Sequence, residues 1–157
     1  MLKTPKYGWS RITIGSWSDR CSNCYYDLPF DLLEGLEKAC RERKPVAVQF
    51  DAEGWDYIIV FDLYETHIIT NKDSVEYTTI EVHRDDLARE LIADIRRDIE
   101  AWSCWVDCGE MSDDQKIERE EDLKILCEIL ERRLPSDDFK VKYMPQSILN
   151  SKGELFY

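Results

Sequence analysis

The chain predicts an α+β fold, a single domain in which an antiparallel β-meander of four to five strands packs with three helices. Three observations carry that prediction. Between Pro45 and Val82, short runs of Val, Ile, Thr and aromatic residues alternate with tight polar turns, as in antiparallel strands joined to their chain neighbours. Before and after that stretch, apolar residues recur at helical spacing. No repeat, linker or low-complexity tract divides the 157 residues, a length that supports one core. Residues 1–157 are therefore expected to form one globular domain, with 139–157 as a C-terminal tail of unassigned packing.

Each element has a local reason. From Trp9 to Gly15, Ile12 and Ile14 alternate with Arg11 and Thr13, the pattern of a half-buried strand. Residues 16–27, rich in Ser, Asp and Cys, read as a loop. Asp27-Leu-Pro29 opens a helix, with Asp27 as cap and Pro29 in the first turn, where a missing N–H costs nothing. Leu32, Leu33, Leu36 and Cys40 form its stripe, and Lys44-Pro45 stops it.

Val46, Val48 and Phe50 then alternate in the first meander strand. Asp51-Ala-Glu-Gly54 supplies a turn, with Gly54 where φ is expected to be positive. Trp55 to Phe61 returns as a strand. Its run Ile58-Ile59-Val60-Phe61 is apolar at successive positions, which predicts a central strand covered on both faces. Leu63–Thr66 and Asn71–Ser74 turn the chain twice more, giving strands over His67–Thr70 and Val75–Val82. Leu87, Leu91, Ile95, Ile99 and Trp102 mark one helix. Ser112-Asp-Asp-Gln115 is a capping box for the last, whose stripe is Leu123, Leu126, Cys127, Leu130 and Leu134.

Charge narrows the function classes. Thirty-three acidic against 21 basic residues give a net charge of −12. Nucleic-acid binding needs a basic footprint, and anionic membranes repel such a chain, so neither is an expected partner. Attraction to a basic protein is favoured instead. The opening MLKTPKYGWSRITIG has no apolar run suited to a signal peptide, so the cytoplasm is the expected compartment, with the six cysteines as thiols.

Catalytic signatures are sparse. The chain has two histidines, His67 and His83, and no Gly-x-Ser-x-Gly, phosphate-cradling Gly loop or His-Glu-x-x-His. Asp94 and Asp98 share a helix face but sit among Arg96 and Arg97, as in a solvated ion-paired surface. Cys21 and Cys24 have zinc-ligand spacing, and Cys104 with Cys108 could complete four thiolates. The second pair, i and i+4 beside Trp102 and Trp105, equally fits core thiols. No catalytic residue, metal or cofactor is assigned. A zinc-stabilised adaptor is the alternative, an uncharacterised enzyme the remaining one.

The sharpest constellation is acidic and aromatic. From Pro45 to Asn71 there is no Lys or Arg, while Asp51, Glu53, Asp56, Asp62 and Glu65 stand among Trp55, Tyr57 and Tyr64. Carboxylates pair bidentately with Arg, and a Trp or Tyr at the centre of such a patch supplies anchoring area. The candidate partner-binding residues are Asp51, Glu53, Trp55, Asp56, Tyr64 and Glu65, extended by Asp113 and Asp114 if the last helix lies nearby.

The segments S-N-C-Y-Y-D-L-P-F-D-L-L from Ser22 and P-V-A-V-Q-F-D-A-E-G-W-D-Y-I-I-V-F-D from Pro45 to Asp62 carry a family resemblance. In pattern, this acidic α+β domain resembles the immunity proteins of bacterial toxin systems, including contact-dependent growth inhibition. The resemblance implies a cytoplasmic inhibitor that binds one cognate toxin domain, often a basic nuclease, and occludes its active site or an adjacent surface. It assigns no residue. Both a monomer and a homodimer through an uncovered edge strand fit the sequence.

Overall fold

The computed structural model describes residues 1–106 and 109–135, and the fold is α+β. A four-stranded antiparallel meander runs in chain order through β3 (Val46–Asp51), β4 (Asp56–Phe61), β5 (Glu65–Asn71) and β6 (Val75–Glu81). The expected turns sit between them, and Gly54 has φ 126°. One face of this sheet, with Val48, Phe50, Tyr57, Ile59, Phe61, Ile68 and Ile80, is buried. Helix α1 (Leu28–Glu42) packs against β3 and β4 on that face. Gly35 of α1 lies so close to Val48 that no Cβ fits between them.

Residues 16–27 depart from the loop expectation. Trp17–Ser22 forms a strand, β2, paired antiparallel with β1 (Trp9–Ile14) in a separate two-stranded sheet. Its positions on the face of Ile12 and Ile14 are Trp17, Asp19 and Cys21, so an aspartate interrupts the apolar alternation that would have marked it. The hairpin joins the same core as the large sheet. The Trp17 and Tyr57 rings meet edge to face at 5.4 Å, and Tyr57 Oη donates to the Arg20 carbonyl at 2.6 Å.

Covering of β4 on both faces is also corrected. Burial alternates along the strand, with Ile59 and Phe61 buried and Ile58 and Val60 only half-buried. No described helix lies over the outer face, where Ile58, Val60 and Ile69 adjoin the exposed ring of Tyr77. The two apolar faces of β4 are unequal because the helices are segregated to one side, the α+β arrangement.

The helical half refines two expectations. The stripe from Leu87 to Trp102 is broken at Asp98, giving α2 (Arg84–Arg97) and the short α3 (Ile99–Ser103). Asp98, with φ −122° and ψ 33°, leaves the helical region, and its carboxylate accepts from Thr4 and Arg97 instead. Helix α4 (Asp113–Arg133) starts with the expected capping box, Ser112 and Gln115 each bonding the other's backbone N–H. Leu123, Cys127 and Leu130 face inward, and α4 packs on α1, α2 and α3. Asp27 stands at the N-cap of α1 without making a side-chain cap bond; its carboxylate pairs with Arg119 of α4 at 2.8 Å. The tail 139–157 and Cys108 lie outside the described residues.

Candidate functional site

The β3–β4 hairpin tip builds the acidic end of the sheet. Asp51 and Asp56 are direct cross-strand partners, continuing through Asn71 to Val75, so the β3–β4 and β5–β6 turns share one end. Like charges directly opposite are unfavourable in a sheet. Asp51 Oδ1 accepts from the Glu53 N–H at 2.7 Å and from Ser22 Oγ at 3.2 Å, which fixes the turn. Glu53 itself is in the left-handed region at φ 51°, a conformation costing about 1–2 kcal/mol for a residue with a Cβ. Its carboxylate accepts from Cys24 Sγ at 3.1 Å, and that hydrogen bond raises the thiol's pKa.

Trp55 is not a free anchor. Its indole Nε1 donates to Asp19 Oδ2 at 3.3 Å. The Lys72 ammonium lies 4.5 Å from its ring centroid and the Arg20 guanidinium 5.6 Å, with Arg20 also 5.3 Å from the Trp9 ring. Two cations from outside the cation-free stretch thus fold back onto its tryptophan. Lys72 arrives because the β5–β6 turn shares this end, and Arg20 because residues 17–22 form a strand. The exposed aromatic on the segment that meets the tip is Tyr25, adjacent to Cys24.

The remaining candidates lie elsewhere. Tyr64 and Glu65 occupy the β4–β5 turn, at the other end of a strand about 17 Å long. Tyr64 is exposed with its ring edge to face against His83 at 5.4 Å, and Glu65 faces His67 at 3.9 Å. Asp113 and Asp114 form the first turn of α4, where carboxylates favour the positive end of the helix dipole. That half of α4 is tied by Arg119 to Asp27 and to the Ser103 carbonyl. Of the eight predicted residues, the fold gathers Asp51, Glu53, Trp55 and Asp56, and separates Tyr64 and Glu65 from them.

The cysteines occupy unlike settings. Cys21 is buried beside Ser10 and Tyr57, and burial pushes its thiol up to about 12. Cys24 is exposed and Cys104 half-buried. Among the described residues, no three His, Cys, Asp or Glu side chains gather as metal ligands would. Asp94 and Asp98 are both engaged. Asp94 accepts from the Leu2 N–H at 2.6 Å and pairs with the Met1 amino group and Arg97. His67 stacks on Tyr77, whose hydroxyl lies 2.8 Å from Nδ1.

No protein-family model matches the chain, and no curated protein or solved structure is significantly similar to it.

Proposed function

We propose that this chain is a stoichiometric protein inhibitor, an immunity protein that neutralises a basic toxin domain by covering its active site or an adjacent surface in the cytoplasm. One observation carries the reading. Asp51 and Asp56 face each other across the strand pair with Glu53 at the tip between them, a concentration of like charge that a cationic surface would relieve. Long-range attraction speeds encounter with such a surface, while affinity depends on what else is buried. Trp55, already covered by Arg20 and Lys72, contributes by stiffening the hairpin; Tyr25 is the aromatic that remains available there. No helix among the described residues is long and apolar enough to cross a membrane.

The test is co-expression with whichever basic toxin domain the neighbouring genes encode, read as growth rescue, and association kinetics of the purified pair. Charge reversal by Asp51→Lys with Asp56→Lys should slow association by about tenfold or more at low salt, and by less at high salt. Rescue without any change in association rate would remove the hairpin from the interface. Absence of both growth rescue and complex formation would overturn the inhibitor reading.

A further inference from the structure

Among the described residues, the large sheet has two unpaired edges, and they differ. β6 is the more open, with all its residues exposed except Ile80 and no described helix along it. β3, the other edge, runs beside α1, and a groove of about 310 Å³ lies between them. Four successive residues, Val46, Ala47, Val48 and Gln49, line that groove. Side chains of successive strand residues point to opposite faces. A wall containing all four is therefore the backbone edge of the strand. Every second residue of an edge strand directs its N–H and C=O away from its one neighbour. Among the described residues, no hydrogen bond from outside the sheet reaches the backbone of Val46 to Phe50.

The opposite wall is one face of α1. Asp31, Glu34 and Lys38, at i, i+3 and i+7, line it together with Gly35 and Tyr26. Three residues connect α1 to β3, so the two run in opposite directions: Lys38 stands near the start of β3, and the carboxylates stand toward Asp51. Gly35 lets the helix approach Val48 closely, which sets the groove's depth. Asp31 and Glu34 have no basic side chain paired to either in the described residues, and Glu34 is exposed.

We propose that this groove receives an extended basic segment of the partner protein, which adds to β3 as a further antiparallel or parallel strand. The proposal rests on the inhibitor reading above and names how the partner is held. Backbone bonding to the free edge supplies the attachment, and charge supplies the selectivity. Alternate residues of an added strand lie about 7 Å apart on one face, close to the roughly 5–6 Å between i and i+3 positions of a helix. A Lys or Arg at every second position would thus meet Asp31 and Glu34 in turn. β6 offers a backbone edge without that acidic wall.

The probe is a synthetic capped hexapeptide alternating Lys and Val, with a Glu–Val hexapeptide as control, titrated into the isotopically labelled full chain at low salt. Amide shifts concentrated on Val46–Gln49 and on 31–38 of α1 are expected, with slowed hydrogen exchange at alternate β3 amides and no response to the acidic peptide. Asp31→Lys with Glu34→Lys should weaken binding at least about tenfold, and the milder Asp31→Asn with Glu34→Gln by a smaller factor. The amide spectrum of each variant reports directly that it is folded. Shifts on β6 or only on the 51–56 hairpin, an unaffected double variant, or no shift up to millimolar peptide would each overturn the groove. Such a failure leaves the inhibitor reading standing if Asp51→Lys with Asp56→Lys still slows association with the toxin domain.

Discussion

Gly35→Ala sets two effects of opposite sign against each other. In a helix interior, alanine is favoured over glycine by about 1 kcal/mol, because glycine loses more backbone entropy on folding. Gly35, however, lies on the buried side of α1, and a Cβ there would overlap Val48 Cγ2 on β3. Valine is stiff at χ1, and the γ-methyl is held between helix and sheet, so either the side chain leaves its rotamer or α1 moves outward. Overpacking of this kind costs about 1–3 kcal/mol. The net expectation is a loss of about 1 kcal/mol, or about 2–4 °C in Tm for a domain of this size.

The decisive measurement is the same substitution made in a Val48→Ala background. Removing both γ-methyl groups costs about 2 kcal/mol by itself. It also removes the obstacle, so Gly35→Ala should then stabilise by up to about 1 kcal/mol. Urea denaturation of the four proteins, followed by far-UV circular dichroism, gives both numbers. A stabilising effect in the parent chain, or the same effect in both backgrounds, would refute the claim that close helix–sheet approach requires glycine here.

Two further outcomes follow from titrating groups. Burial opposes the charge of Asp94, but the Met1 amino group, the Leu2 N–H and Arg97 together hold its carboxyl below the ordinary 3.8. A depressed carboxyl contributes stability that is complete above its unfolded value and lost as pH falls through the folded one. Acid titration of stability below about pH 4 should therefore be steeper in the parent than in Asp94→Asn, and identical slopes would contradict it. For thiols, iodoacetamide at about pH 8 should modify Cys24 at least about a hundredfold faster than Cys21 in the folded chain, because Cys21 is buried and its thiol is pushed up to about 12. Mass mapping showing equal rates would place Cys21 outside the core.

The meander was legible because its strands pair with their chain neighbours, and the turn residues between them, Gly54 above all, announce each reversal. The α4 start was legible for a similar reason: Ser112 and Gln115 satisfy each other within one turn. β2 was not, because Asp19 occupies an inward position where Trp55 Nε1 meets it, a contact 36 residues away in sequence. The same kind of distant contact hid the state of Trp55. A stretch without cations identifies the charge of a segment, but Arg20 and Lys72 reach its ring only through strand pairing. The split between Asp51–Asp56 and Tyr64–Glu65 follows from strand length, since the residues of successive turns in a meander lie at opposite ends of the sheet. The edge groove along β3 depends on which strand is outermost, and periodicity carries no signal for that.

The neighbour-by-neighbour pairing of the strands has a kinetic consequence. Both β-sheets close only short loops, so their entropic barriers are small and each hairpin can form early and by itself. The helices behave otherwise: Asp27 meets Arg119 across 92 residues, and Asp94 meets the Leu2 N–H across another 92. Docking of α2 and α4 onto α1 is then the slow, cooperative event. In a chain synthesised from its N-terminus, α1 and the meander it covers emerge first, so the side of α1 that packs on α2 and α4 stays open until α4, ending at Arg133, has been made.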